Sequence, residues 1–372
     1  MRDRGRGRTA VRTVVQLVLL VSVAEAVLCL LVLCVTRVVR NRRERVLRRT
    51  AATTRPLVVE ATGGESPSAR AALAALDRRS WKAAEPTVTR LLSRVKGGSH
   101  HTLTDLLVRR GAVDAALADA TRRRSLRRAR AATVLALTGP SLRADPVRGP
   151  AARHALHALL GHRSATVRET AVRALGRLGD PVSAGLLLTA LDPPRRVAPG
   201  LVGDALVRLG PAAVDALTGA AADGGDEQHR ALAVELLGLI KDRRALPALS
   251  AALDDPAPMV RAAAAAALGR VGEPAAVAAL TGTVRTDPSD RVVVAAAEAL
   301  GLIGDENAVP VLERTVRRGP YRPAHTAARA LLRLGPAGRA ALGGIARGPD
   351  PAGAHARETL SLALGDRGGP DR

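Results

Sequence analysis

Phenylalanine is absent from this chain, tryptophan and tyrosine occur once each (Trp81, Tyr321), and lysine only three times (Lys82, Lys96, Lys241). Missing aromatic rings remove the platforms on which proteins stack unpaired bases. Cysteine is nearly as scarce: Cys29 and Cys34 both fall inside one apolar run. That excludes a disulfide framework and, elsewhere in the chain, a thiol nucleophile or a cysteine zinc site. No phosphate-binding glycine loop with its lysine occurs, and no Gly-x-Ser-x-Gly elbow. His154, His157 and His162 have a spacing that can seat a metal, but no acidic neighbour completes a site, so surface histidines are the simpler reading. The expectation is a non-enzymatic chain without a cofactor.

Arginine is what the chain has in excess. Its 57 basic and 34 acidic residues leave a formal charge of +23 over 372 residues. Residues 1–55 hold 13 arginines against Asp3, Glu25 and Glu44, so +10 of that charge sits at the N-terminus and +13 on the rest. Residues 1–13 form a basic tail, with Arg2, Arg4, Arg6, Arg8 and Arg12. From Val14 to Thr36 the chain is apolar except for Gln16, Ser22, Glu25 and Thr36. Twenty-three helical residues span about 35 Å, which predicts a transmembrane anchor. A cleaved signal would have a shorter apolar region ending at a small-residue site. Five arginines before the span and seven in residues 37–51 tilt the soluble part toward the cytoplasm. Glu25, with Ser22 and Cys29 on the same helical face, is either a helix–helix contact, to itself or to a multi-span membrane partner, or a tolerated carboxyl. Residues 37–67 read as a basic juxtamembrane helix and a linker ending in Gly63-Gly64-Glu65-Ser66-Pro67.

A repeat organises the rest of the chain. Leu175, Leu206, Leu237, Leu268, Leu300 and Leu331 recur at intervals of 31 or 32 residues, each preceded by a small or apolar residue and followed three later by an aliphatic. Glycine comes next at Gly179, Gly210, Gly272, Gly304 and Gly335, with Lys241 in the sixth place. Such a period means a solenoid. In the clearest copy Val260, Ala264, Ala267, Leu268 and Val271 share one helical stripe, Gly272 suits a left-handed helix end, and Pro274 suits the start of a second helix. Val277, Leu280 and Val284 give that helix its own stripe. Each copy is then two antiparallel helices that bury their stripes only by stacking. Residues 68–163 show similar stripes without strict register and read as degenerate repeats. Among them Ala131, Leu135 and Thr138 precede Gly139-Pro140, which predicts a helix stop, and Gly111 predicts another. Ala354 to Leu364 reads as a last helix, and 366–372 as a disordered tail.

The pattern Val-Arg-x-x-Ala-x-x-Ala-Leu-Gly-x-Leu-Gly-Asp over Val167 to Asp180 resembles the HEAT repeat, in the short form of phycobilin lyases and many bacterial scaffold proteins; Val260 to Glu273 follows it closely. The resemblance covers about 164–365 and implies an all-α fold, a right-handed superhelix of helix pairs. It also implies that Arg168 and Arg261 belong to an internal Asp/Arg ladder, and that the first helix of each pair lines the concave side. Two positions after the key leucine stand Arg177, Arg208, Arg270 and Arg333, interrupted by Leu239 and Leu302, with Arg109 in the same place after Leu107. Stacking would align them about 10 Å apart. They are either a basic stripe for an acidic partner or arginines that favour the helix C-terminus. The expected function is a membrane-tethered scaffold that binds and positions a protein. The alternatives are nucleic-acid binding through the arginine row and, by resemblance, a tetrapyrrole lyase; a small-molecule substrate is not expected.

Overall fold

The computed structural model describes residues 25, 29–31, 33–38, 56–57, 60, 67–92, 94–95, 97–143, 145–194, 196–223 and 225–365. The chain divides into two compact units, 1–111 and 112–372. The first contains α1 (Pro67–Ala75), α2 (Arg78–Leu92) and α3 (Gly98–Arg109). Leu73, Trp81, Val88, Leu92, Leu103 and Leu107 are buried there. The guanidinium of Arg110 lies 5.0 Å over the Trp81 ring and donates to the carbonyls of Leu73 (2.8 Å) and Leu76 (2.6 Å), satisfying acceptors that the end of α1 leaves open. Gly111, at φ 70°, follows α3 as its spacing predicts.

The second unit begins with α4 (Ala112–Ala120) and continues as pairs: α5 (Ser125–Arg143) with α6 (Arg148–Leu160), α7 (Ala165–Leu178) with α8 (Ser183–Thr189), and α9 (Pro199–Leu209) with α10 (Val214–Asp223). Then come α11 (Glu227–Ile240) with α12 (Leu246–Ala251), α13 (Pro258–Val271) with α14 (Val277–Thr286), and α15 (Asp290–Ile303) with α16 (Val309–Arg318). The stack ends in α17 (Tyr321–Arg333), α18 (Gly335–Ala346) and α19 (Pro351–Gly365). Among the described residues the secondary structure is helical throughout. Each key leucine from Leu175 to Leu331 is fully buried. Gly179, Gly272 and Gly304 take the left-handed conformation after α7, α13 and α15, each donating its N–H to the key leucine's carbonyl. Lys241 adopts the same conformation at φ 58°.

One expected stop is corrected. Gly139-Pro140 does not end a helix: α5 runs on to Arg143 with Pro140 inside it. Gly139 serves packing instead, since a Cβ there would lie 3.0 Å from the backbone of Arg177 and Leu178 on α7.

Successive first helices (α5, α7, α9 and so on to α19) stack on one another, and a glycine–alanine contact sets their spacing. A Cβ on Gly176, Gly238, Gly269 or Gly301 would come within 2.6–2.8 Å of the Cα of Ala205, Ala267, Ala299 or Ala330 in the next layer. The glycine follows one key leucine and the alanine precedes the next. The contact fails once, where Val207 stands in the glycine's place and Leu236 in the alanine's. There α9 and α11 pack less closely than α11 with α13 or α13 with α15.

The expectation of a single-pass membrane protein is also corrected. Among the described residues no helix is long and apolar enough to cross a membrane. Helix α5 has the length, at 19 residues, but carries Arg127, Arg128, Arg130 and Arg143. Of 14–36, only Glu25, 29–31 and 33–36 are described; Ser22 lies outside the described residues. Glu25 and Cys29 are exposed on helical backbone. The expected tails 1–13 and 366–372 lie outside the described residues as well.

Candidate functional site

Each first helix carries a second stripe besides the buried one. Counted from the key leucine, positions −9, −6, −5, −2 and +2 follow helical spacing and fall on a face that the stack leaves open. In α11, α13 and α15 the first four of these positions, with +2 of α13, line a groove of about 780 Å³. Its floor is cut low by alanine: Ala262, Ala263 and Ala266 of α13, with Ala231 of α11 and Ala295 of α15. Leu232, Met259 and Val294 add larger apolar surface, and Val197 and Pro199 close one end from the loop entering α9.

The charges are balanced rather than basic. Arg196, Arg270 and Arg291 line the groove against Asp226, Glu235 and Glu298. Asp226 caps α11, accepting from the His229 N–H at 2.9 Å. That bond, more than the nearby His229 ring and Arg196, holds its carboxyl below the usual range against the opposing effect of desolvation. Arg270 differs from the other cations. Its Nη1 is buried without a hydrogen-bond partner among the described residues and lies so close to α11 that a Cβ on Gly238 would be 3.1 Å from it. A guanidinium N–H removed from water and left unpaired costs more than an ordinary exposed one, so the close approach of α11 sets Arg270 apart from the other cations of the groove.

The four row arginines therefore do not act alike. Arg177, Arg208 and Arg333 are exposed, as is Arg109 in the first unit, and Arg208 is held by Asp204 on its own helix at 3.0 Å. Of the four, Arg270 alone lines the groove. Leu239 and Leu302, which interrupt the row in sequence, are 47% and 53% exposed and occupy the same register on the flanking helices. Sequence reasoning missed the groove because it followed one register position. The signal was the whole stripe, with alanine at −6, −5 and −2 of α13.

Arg261 is structural, bonding Asp287 of the next layer at 2.7 and 3.2 Å and the carbonyls of Asp255 and Pro256. Arg168 caps backbone, donating to the carbonyls of His162 and Arg163. Arg230, in the same register, pairs with Asp255 at 2.8 and 3.0 Å and was missed because its copy departs from the pattern at the preceding valine. Desolvation raises Asp287, but the bonds from Arg261 and the Ser289 N–H together hold it below the ordinary value. Two of the three histidines singled out for spacing are otherwise engaged. The His157 Nε2 lies 3.1 Å from the Ser183 hydroxyl, and the His162 Nδ1 accepts from the Ser164 N–H. Among the described residues no group of three or more His, Cys, Asp or Glu could hold a metal.

Comparison with known proteins agrees with this architecture. The family model for HEAT repeats matches residues 114–206 and 214–297, and that for the PBS lyase HEAT-like repeat matches 292–316. The first match reaches back into the stretch whose repeats are degenerate in sequence. No curated protein sequence matches the chain. Among solved structures, an engineered protein is similar at 19% identity and TM-score 0.37, covering 84% of this chain and 94% of that one. Human deoxyhypusine hydroxylase in complex with glycerol is similar at 16% identity and TM-score 0.31, covering 77% and 97%. The complex of CpcE and CpcF of phycocyanin lyase from Nostoc sp. is similar at 21% identity and TM-score 0.29, covering 67% and 94%. Likeness at these levels carries no argument about function. The family matches and the stacked helix pairs carry the assignment: this chain belongs to the HEAT-repeat proteins.

Proposed function

We propose that the second unit is a scaffold that binds another protein, taking a segment of that partner into the groove over α11, α13 and α15. The observation that carries this reading is an alanine-floored trough across three layers, lined by Arg270 and by a balanced set of other charges. An apolar face of a helix or extended segment would cover Ala262, Ala263 and Ala266, and a carboxylate or carbonyl on it would accept from Arg270. Glu235 and Glu298 would meet a basic residue of the same segment. Three cations against three anions do not suit a phosphate backbone, which needs excess positive charge, so nucleic-acid binding through the row is not favoured. The tetrapyrrole-lyase alternative rests on repeat type, the pattern at Val167 to Asp180 and the family match at 292–316, and on no residue with a chemical role. The chain is read as non-enzymatic, a binding module without chemistry of its own.

A photo-crosslinking amino acid at Ala263, compared with one at Ala278 on the exposed side of α14, tests this reading in the native cell. The expected result is a discrete adduct from position 263 and none from 278. Arg270→Glu should cut the adduct at least tenfold while Arg208→Glu leaves it unchanged, because truncating a desolvated charge contact costs more than about 1.4 kcal/mol. Adducts from 278 alone would move the binding face to the second helices.

A further inference from the structure

Tyrosine occurs once in the chain and histidine eight times, yet that one tyrosine packs against two histidines at a single place. Tyr321 stacks on His325 (centroids 6.2 Å apart, planes 21°) and meets His355 edge-on at 5.4 Å. The two imidazoles lie 5.1 Å apart at 76°, and His325 Nδ1 faces His355 Nε2 at 3.2 Å. His325 sits on α17 and His355 on α19, neighbouring first helices of the stack, so packing of the layers and not a flexible loop sets the distance.

We propose that His325 Nδ1 and His355 Nε2 form a two-nitrogen site for a divalent transition metal. Two neutral imidazoles facing each other either share one proton or present both lone pairs to a common cation. Metal–nitrogen bonds of about 2.0–2.1 Å at a tetrahedral angle place their two nitrogens about 3.3 Å apart. The observed separation of 3.2 Å is close to that distance. Imidazole donors suit zinc, nickel and copper, with Cu²⁺ bound most tightly of the three. Both histidines are half-buried, which leaves coordination positions open toward the same face that carries the groove, since His325 stands at −6 from Leu331. Tyr321 is 72% exposed and holds the His325 ring by stacking, restricting its rotation. The site stands on its own geometry and does not depend on what the groove binds.

Titration of chelator-treated, untagged full chain with ZnCl₂ and with CuCl₂ by calorimetry tests the proposal. One equivalent should bind, Cu²⁺ more tightly than Zn²⁺, and the melting temperature should rise with metal. His325→Ala and His355→Ala should each abolish this binding, and His154→Ala should not. His325→Gln keeps a hydrogen-bonding group of similar size and should retain the helical spectrum while losing the metal, which separates loss of a ligand from loss of fold. Absence of stoichiometric binding by the wild type, or binding undiminished in His325→Gln and His355→Ala, would overturn it.

Discussion

Lys241 occupies a backbone conformation that its counterparts Gly179, Gly272 and Gly304 reach without a side chain. A left-handed non-glycine residue carries a cost of about 1–2 kcal/mol from the Cβ against its own carbonyl. Lys241→Gly should therefore stabilise the chain, by about 0.5–1 kcal/mol once the added freedom of the unfolded glycine is set against it. Chemical denaturation of the two forms measures the difference. The Arg261–Asp287 pair gives a second prediction at this scale. Its side chains are 13% and 6% exposed, so removing one partner strands a buried charge. Arg261→Met should cost about 3 kcal/mol at pH 7. Asp287 and Asp255 both titrate below their ordinary value, Asp255 chiefly through its bond to Arg230. A depressed folded pKa contributes stability that is fully present above the unfolded value of about 3.9 and is lost as pH falls through the folded value. Wild-type stability should thus begin to drop near pH 4, and the drop should be shallower in Arg261→Met, as read from denaturant midpoints between pH 7 and pH 3.

Between helices, the decisive feature is how closely first helices approach. Gly269 leaves room for Ala299, whose Cα would lie 2.7 Å and Cβ 2.8 Å from an added Cβ. Because the obstacle is backbone, Gly269→Val must push α13 and α15 apart. An overpacked contact of this kind costs about 1–3 kcal/mol. The variant should keep its helical content, lower its denaturation midpoint and admit faster hydrogen exchange at the α13–α15 contact. The buried stripes of these helices were legible in sequence, since a period of three to four residues needs only the chain's own geometry. Gly139-Pro140 was misread for an equally local reason: glycine before proline resembles a stop, but here glycine admits the backbone of α7 and the helix continues past it. Nothing within residues 125–143 announces that neighbour.

Across the second unit, the layers are not equally joined. Close glycine–alanine contacts tie α11 to α13, α13 to α15 and α15 to α17, whereas Val207 and Leu236 hold α9 and α11 further apart. Stability in a repeat array is the sum of each repeat's own and its contacts with neighbours. The array should accordingly open first at this joint. Native-state hydrogen exchange should show α9 and α10 exchanging through a lower-energy opening than α13 and α15, and a Val207→Gly, Leu236→Ala pair should narrow the gap.

By itself the sequence determined the repeat, its period, the helix pairs and the glycine ends of α7, α13 and α15, because these follow from hydrophobic spacing and from the conformations that glycine and proline allow. It also placed Arg270 among four candidates. Only the tertiary structure decided that Arg270 differs from Arg177, Arg208 and Arg333, that alanines of three layers make one trough, and that His325 meets His355 across thirty residues. The physical reason is the same in each case. Burial of a guanidinium nitrogen, the depth of a groove and the distance between two imidazoles depend on the spacing of layers, and that spacing comes from contacts between residues about thirty positions apart.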